Sequence, residues 1–405
     1  MTQSHPPTRY IGLDIHKHYM VAIGVDQDQR QVFGPHKVKW GEFEDWMKKH
    51  LNKEDAVVLE MTTNTWEVHD LLVEQVGSVT VVHPPHVKLI VRAQAMTDGK
   101  AALVLAQLHA AGLLPGIWVP PQDVRDLRAL VAQRDKMRRI SSVAKNRLQN
   151  ALHRNHIIPP KGHAFAAKNR AFWEGLELPP VEKSILMSDL ETMDFAEDQK
   201  KSLEKELGKL AAEDERVPLL VQIPGIGLIN AMAILAAIGD ISRFPSAKKL
   251  VGYAGLYPRF HQSGLSYTTG RLVSYGRRDL RWAMVEAALS ASQHSPHWKK
   301  IRKSLAPRIG SKKALIAIAR KLLIAVWHIL NEKMTDKYAV PEKVAATFFA
   351  LAYRIGVKNL PDGMSALEFT RHNLDRMGIG ENLTRLRWGS KTFSLPPSSL
   401  KVKQD

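Results

Sequence analysis

Three carboxylates and one hydroxyl stand out for the chemistry they could perform together. Asp14 lies within the apolar run YIGLDIHKH, Glu60 falls near the end of a second such run, DAVVLEMT, and Asp98 opens the helix-forming segment MTDGKAALVLAQLHAAG. A carboxylate inside an apolar strand is costly unless it is paired or binds a cation. Three of them at strand ends and a helix start are how a hard divalent cation is held for phosphoryl transfer. Asp98 alone would read more simply as a helix cap; the set says more than any member. The hydroxyl is Ser263, between Gln262 and Gly264 in the basic, glycine-punctuated stretch GLYPRFHQSGLSYTTGRLVSYGRRDLR, residues 255–281. A Ser-Gly turn exposes a hydroxyl that can approach a phosphodiester closely, and Arg271, Arg277 and Arg278 supply cations for its phosphates. Such turns are more often purely structural, and Ser266 and Ser274 are alternative nucleophiles on these grounds.

The elements that must carry these residues follow from periodicity. YIGLDIHKH and YMVAIGV read as two strands, with a third at QVFGPHKVKW. Alternation places Asp14 and His16 on one face of the first strand. DAVVLEMT and SVTVVHPP supply further strands around a helical segment at Thr65 to Gln75, and Ala101 to Ala111 forms another helix. Strands alternating with helices predict an α/β sheet, with Asp14 and Glu60 at the strand ends where such sheets place their chemistry.

Pro120-Pro121 closes this first domain. Val124 to Arg154 then runs without Gly or Pro, and Glu197 to Glu215 forms a second amphipathic helix, which together suggest an antiparallel coiled-coil hairpin or an oligomerisation arm. Arg134, Arg138, Arg139, Lys145, Arg147 and Arg154 would face phosphates. IPGIGLINAMAILAAIGD resembles a helix-hairpin-helix element in which Gly225 and Gly227 let backbone amides meet a phosphate; a plain turn between core helices is the alternative. Helices follow at Arg277 to Ser290 and Lys312 to Leu330, with Trp282 and Trp327 read as core. Near the end, ALEFTRHNLDRM reads as helix and SLPPSSLKVKQD as disordered.

At 405 residues the chain is long enough for two or three domains. Its formal net charge of +18 points to a polyanionic partner. The excess is concentrated: from Ile241 to Lys321 there are 17 Lys and Arg against Asp279 and Glu286 alone, and from Pro121 to Arg154 nine against three. The chain has no cysteine, which excludes disulfides and thiolate metal sites. The N-terminal residues lack a signal-peptide core, and no uninterrupted apolar run reaches spanning length, so a cytoplasmic location and no membrane partner are expected.

The ordered motifs YIGLDIHK, VVLEMT, TDGKAA, IPGIGLINA, LVGYAGLYP, QSG and GRRDLRWAM resemble the transposases of insertion-sequence family 110, the bridge-RNA-guided DNA recombinases, over roughly residues 9 to 335. The resemblance implies a RuvC-like, RNase H-type α/β domain at residues 1–120 whose Asp-Glu-Asp-Asp set binds Mg²⁺, here through Asp14, Glu60 and Asp98. It further implies a mainly α transposase domain at 219–335 with Ser263 as nucleophile. The coiled-coil arm at 121–218 and an extension at 336–405, partly disordered, complete the expected organisation. Implied partners are donor and target double-stranded DNA, a structured guide RNA and further copies of the chain, as a dimer or tetramer, with the acidic domain and serine of different protomers forming one site. The fourth acidic position of the family pattern, Thr-Asp-x-x-Asp, is Ala101 in this chain, which predicts weakened or abolished cleavage with folding and binding intact.

The leading expectation is therefore an RNA-guided recombinase working through a phosphoserine intermediate with Mg²⁺. The nucleic-acid contacts would come from Arg271, Arg277, Arg278, Gly225, Gly227, Arg138, Arg139 and Arg147. The alternatives are a metal-dependent, structure-selective nuclease using water, and a non-catalytic nucleic-acid-binding protein.

Overall fold

The computed structural model describes residues 6–85, 87 and 97–400 and divides the chain into two compact units, residues 1–121 and 122–405. The first unit is built on a five-stranded sheet of order β3-β2-β1-β4-β5. Its strands are β1 (Arg9–Ile15), β2 (Tyr19–Val25), β3 (Gln31–Lys39), β4 (Asp55–Glu60) and β5 (Ser78–Val82). β1, β2 and β3 form an antiparallel meander, whereas β4 and β5 run parallel to β1. Alternation in β1 sends Ile11, Leu13 and Ile15 into one core layer, together with Leu59, Leu72 and Trp46. The start of β1 is tied to β4 by Arg9, whose Nε and Nη2 donate to the buried Asp55 carboxylate at 2.7 and 2.8 Å.

The opposite face of the sheet receives helix Asp98–Ala110, which packs on β1 and β2. Gly12 permits this: a Cβ there would lie 2.0 Å from the Ala102 carbonyl oxygen and 2.7 Å from the Ala106 nitrogen. Ala102 and Ala106 are themselves fully buried, so helix and strand meet backbone to backbone.

The second unit is mostly helical. Helices Gln122–Arg154 and Pro180–Glu213 lie antiparallel, as their cross-links show: Arg134 meets Glu204, Lys145 meets Glu197, Arg147 meets Asp189 and Arg154 meets Glu182. The second helix begins well before the expected Glu197, because Leu186, Leu190 and Met193 continue its apolar stripe onto Leu148, Leu152 and Trp173. The base of this hairpin shares one core with helices Leu228–Ile238, Arg278–His294 and Ser311–Glu332. Helix Ser311–Glu332 is long and apolar enough to cross a membrane, and here Ile318, Leu322, Leu323 and Val326 are fully buried in that core.

The residues beyond 335 fold back on the same core. Helices Pro341–Ile355 and Ala366–Arg376 and the hairpin of strands Arg385–Trp388 and Lys391–Ser394 contribute Phe348, Phe369, Leu374, Leu386 and Leu395. The disorder expected from residue 394 onward is corrected as far as residue 400. Leu395 is buried, Pro396 accepts from Arg371, and Ser398 and Ser399 donate to Asp375. Residues 401–405 lie outside the described residues.

Candidate active site

β1 and β4 place two of the three expected carboxylates at one edge of the sheet. Leu13 is the last residue of β1 in register with β4, opposite Leu59, so Asp14 and Glu60 emerge side by side at the ends of parallel strands, on the face that carries helix Asp98–Ala110. Asp98 arrives from the first turn of that helix. It does not cap the helix: Thr97 is the N-cap, accepting from the Lys100 amide at 3.3 Å, which leaves the Asp98 carboxylate free to turn toward the sheet. There it accepts a 2.8 Å hydrogen bond from the Tyr19 hydroxyl of β2.

His16 joins the two acids. Its Nε2 lies 3.1 Å from Asp14 Oδ2 and 3.5 Å from Asp98 Oδ1. One donor atom from each of Asp14, His16 and Asp98 falls within 4.8 Å of the others. All three side chains keep between 24% and 41% of their surface accessible, so an ion or substrate could reach them. Burial raises the pKa of Asp14; nearby His16 opposes this, and the charge of Asp98 adds to it. Two carboxylates gathered against partial desolvation are a donor set that a divalent cation satisfies. Tyr19 titrates above its ordinary range because its hydroxyl is held by Asp98.

Of the expected acids, then, Asp14 and Asp98 converge, whereas Glu60 lies beside them without entering the trio. Alternation in the sequence places His16 on the face of Asp14 but does not mark it as a donor to the cluster. The signal was present in the Asp-x-His spacing at a strand end. Ala101 lies three residues along the helix from Asp98, its amide bonded to Thr97, with a half-buried methyl where the family pattern has a carboxylate.

Ser263 belongs to the second unit. It closes β6 (Pro258–Ser263), which pairs with β7 (Ser266–Leu272), Ser263 opposite Ser266. The two-residue connection uses Gly264 at φ +56° and a fully exposed Leu265, so Ser263 stands at the tip of an exposed hairpin. Arg259 is nearby on β6 and donates to Ser274 at 2.5 Å, and Arg271 is exposed on β7.

The other basic candidates divide. Arg138, Arg139, Arg277 and Arg278 line one cavity of about 880 Å³. Arg277 is partly committed, donating to Asp279 at 2.9 Å, and Asp135 is shared by Arg138 and Arg139. Arg134, Lys145, Arg147 and Arg154, expected to face phosphates, bridge to the opposing helix, although the Arg147 and Arg154 side chains stay 60% exposed. Gly225, at φ +92°, is required for packing: a Cβ would lie 2.2 Å from the Ala287 carbonyl oxygen. Gly227 instead faces the end of a side chain, Arg354 Nη1 lying 3.1 Å from where its Cβ would be, and it caps helix Leu228–Ile238 without a side-chain acceptor. Trp327 is core, its indole nitrogen donating to the Phe244 carbonyl at 2.9 Å. Trp282 is not; it is 40% exposed with the Arg138 guanidinium 4.8 Å from its ring centre.

Comparison with known proteins decides what this arrangement belongs to. A DEDD transposase model of the IS110 type matches residues 11–157, which hold the acidic trio, and the model of the transposase IS116/IS110/IS902 family matches residues 217–303, which hold Ser263. The chain belongs to the IS110 transposase family. A pilin gene-inverting protein of Moraxella bovis is 28% identical over 335 residues, 80% of this chain and 96% of that protein. The transposase for insertion sequence element IS1111A of Coxiella burnetii is 23% identical over 340 residues, 81% of this chain and 91% of its own length. The transposase for insertion sequence element IS1328 of Yersinia enterocolitica is 29% identical over 167 residues, 41% of this chain and 50% of that protein. As a member of this family the chain is a DNA transposase or recombinase, and transposases of the DEDD type depend on a divalent metal.

Proposed function

We propose that this chain is an RNA-guided DNA recombinase that cuts and rejoins strands through Ser263, assisted by a divalent cation at the Asp14 cluster. The observation carrying this reading is the convergence of Asp14, His16 and Asp98 at the sheet edge, in a sheet whose order supports an RNase H-type, RuvC-like domain. Ser263 Oγ attacks the scissile phosphorus; the Oγ–P bond forms as the bond to the leaving sugar oxygen breaks, the serine proton is lost and the leaving oxygen is protonated, conserving one ester linkage for rejoining. A cation held by Asp14 and Asp98, with His16 as third donor and Glu60 beside them, would offset charge on the phosphoryl oxygens. Tyr19 holds the Asp98 carboxylate in position. Donor and target duplexes, a structured guide RNA and further copies of the chain are its partners in this reading.

Ala101 removes one carboxylate from the expected set, and a set that includes the His16 imidazole nitrogen suits Mg²⁺, which prefers oxygen ligands, less well. Cleavage with Mg²⁺ is therefore weak in this chain. The test incubates the chain and its Ala101→Asp variant with Mg²⁺, the RNA encoded beside the gene and labelled target DNA, followed by a denaturing protein gel. A covalent protein-DNA band that strengthens with Ala101→Asp and vanishes with Ser263→Ala is expected. DNA cut without an adduct would replace this reading with a water-using nuclease.

A further inference from the structure

The second unit carries a cleft of about 790 Å³ that uses neither the acidic trio nor Ser263, within the roughly 300–1,000 Å³ typical of small-ligand pockets. Gly227, Asn230, Trp282, Glu286, Arg354 and Trp388 line it. Two features are unusual for a plain surface. Trp282 and Trp388 leave 40% and 44% of their surface in water, although Trp388 is seated edge-on against the buried Phe349 at 5.9 Å. Arg354 is exposed, makes no ion pair among the described residues, and places its Nη1 3.1 Å from where a Gly227 Cβ would be.

The chemistry of the lining selects a ligand class. The exposed Trp388 indole offers a flat face to an aromatic ring, whereas Trp282 already carries the Arg138 guanidinium over its ring. Arg354 and the first-turn amides behind Gly227, which lack a side-chain cap, suit a phosphate. Glu286, exposed, and the Asn230 amide can accept from and donate to the edge of a base. An aromatic ring, a phosphate and polar ring substituents together describe a nucleotide. In a duplex the base faces are covered by their neighbours and the edges are paired, so a base that stacks here is unpaired.

We propose that this cleft binds one unpaired nucleotide of a single strand, its base stacked on the exposed Trp388 indole and its phosphate on Arg354 and the helix start. Trp388 and Arg354 lie beyond residue 303, where the family model ends, so the C-terminal fold-back completes a subsite around the Pro-Gly-Ile-Gly turn. The proposal rests on the reading that the chain handles nucleic acid.

The test measures fluorescence anisotropy of the full chain with labelled single-stranded DNA, single-stranded RNA of the same sequence, the duplex, and a strand of abasic spacers. Trp388→Ala should weaken single-strand binding by roughly 5- to 150-fold, the loss of one stacked base, and leave duplex and abasic binding unchanged. Trp388→Phe should restore most of the loss, and Arg354→Ala should lower the salt dependence by about one phosphate contact. The larger effect, on DNA or on RNA, identifies the strand. Equal loss on duplex and abasic strand, or no loss at all, overturns the subsite while leaving the recombinase reading in place. Binding to none of the four probes overturns both.

Discussion

Replacing Gly12 with alanine should pull the acidic trio apart without touching any of its members. The new methyl would lie 2.0 Å from the Ala102 carbonyl oxygen, whereas ordinary contact begins at 3.4 Å, so helix Asp98–Ala110 must retreat by about 1.4 Å (3.4 less 2.0) or β1 must buckle. Neither partner is a flexible side-chain end, and such overpacking costs about 1–3 kcal/mol. A shift of that size would stretch the 2.8 Å Tyr19–Asp98 hydrogen bond past bonding reach and carry Asp98 away from His16. Losing such a support around a metal ligand weakens binding by roughly 10- to 100-fold. Titration of Mn²⁺ into the full chain, with free ion followed by electron paramagnetic resonance, reads this directly, and urea unfolding reads the stability. Gly99→Ala is the control: its Cβ would meet only Ile23 Cδ1 at 3.9 Å, and metal affinity should not change. A Gly12→Ala protein that binds Mn²⁺ as tightly as the parent would refute the claim that the helix packing sets the site.

Ala101→Asp should raise Mg²⁺ affinity in calorimetric titration, because it adds a carboxylate one turn from Asp98 on the same helix; an unchanged affinity would show that position 101 does not face the ion. Gly225→Ala should destabilise the second unit by more than about 2 kcal/mol, since φ is +92° and the methyl meets backbone at 2.2 Å; a near-neutral unfolding curve would contradict this. For Glu197, burial works against the charge, but Lys145, Lys200 and Ser141 donate to it and hold its carboxyl down at about 2. The folded pKa is depressed, so this stabilisation is full above the unfolded value of 4.5 and fades as pH falls toward 2. The stability gap between the parent and Glu197→Gln should shrink between pH 5 and 3, and a gap independent of pH would exclude the ion pairs as its source.

The sequence determined the local parts. Two-residue alternation in YIGLDIHKH put Asp14 and His16 on the face opposite Leu13, and the helix at Thr65–Gln75 has the predicted bounds. Local signals misled where two neighbouring residues could do one job: Thr97, not Asp98, caps its helix, and that exchange frees the acid for the cluster. They were also silent where a partner lies far along the chain. Which arginines face solvent depended on carboxylates from 28 to 70 residues away, such as Glu182 for Arg154 and Glu204 for Arg134. Trp282 sits on an apolar helix and reads as core, yet it opens onto a cleft that residues 354 and 388 complete. Charge and periodicity are properties of the chain, but residues 14, 16 and 98 meet only because a helix docks backbone to backbone at Gly12. That approach is fixed by steric fit between segments some ninety residues apart, which no local pattern contains.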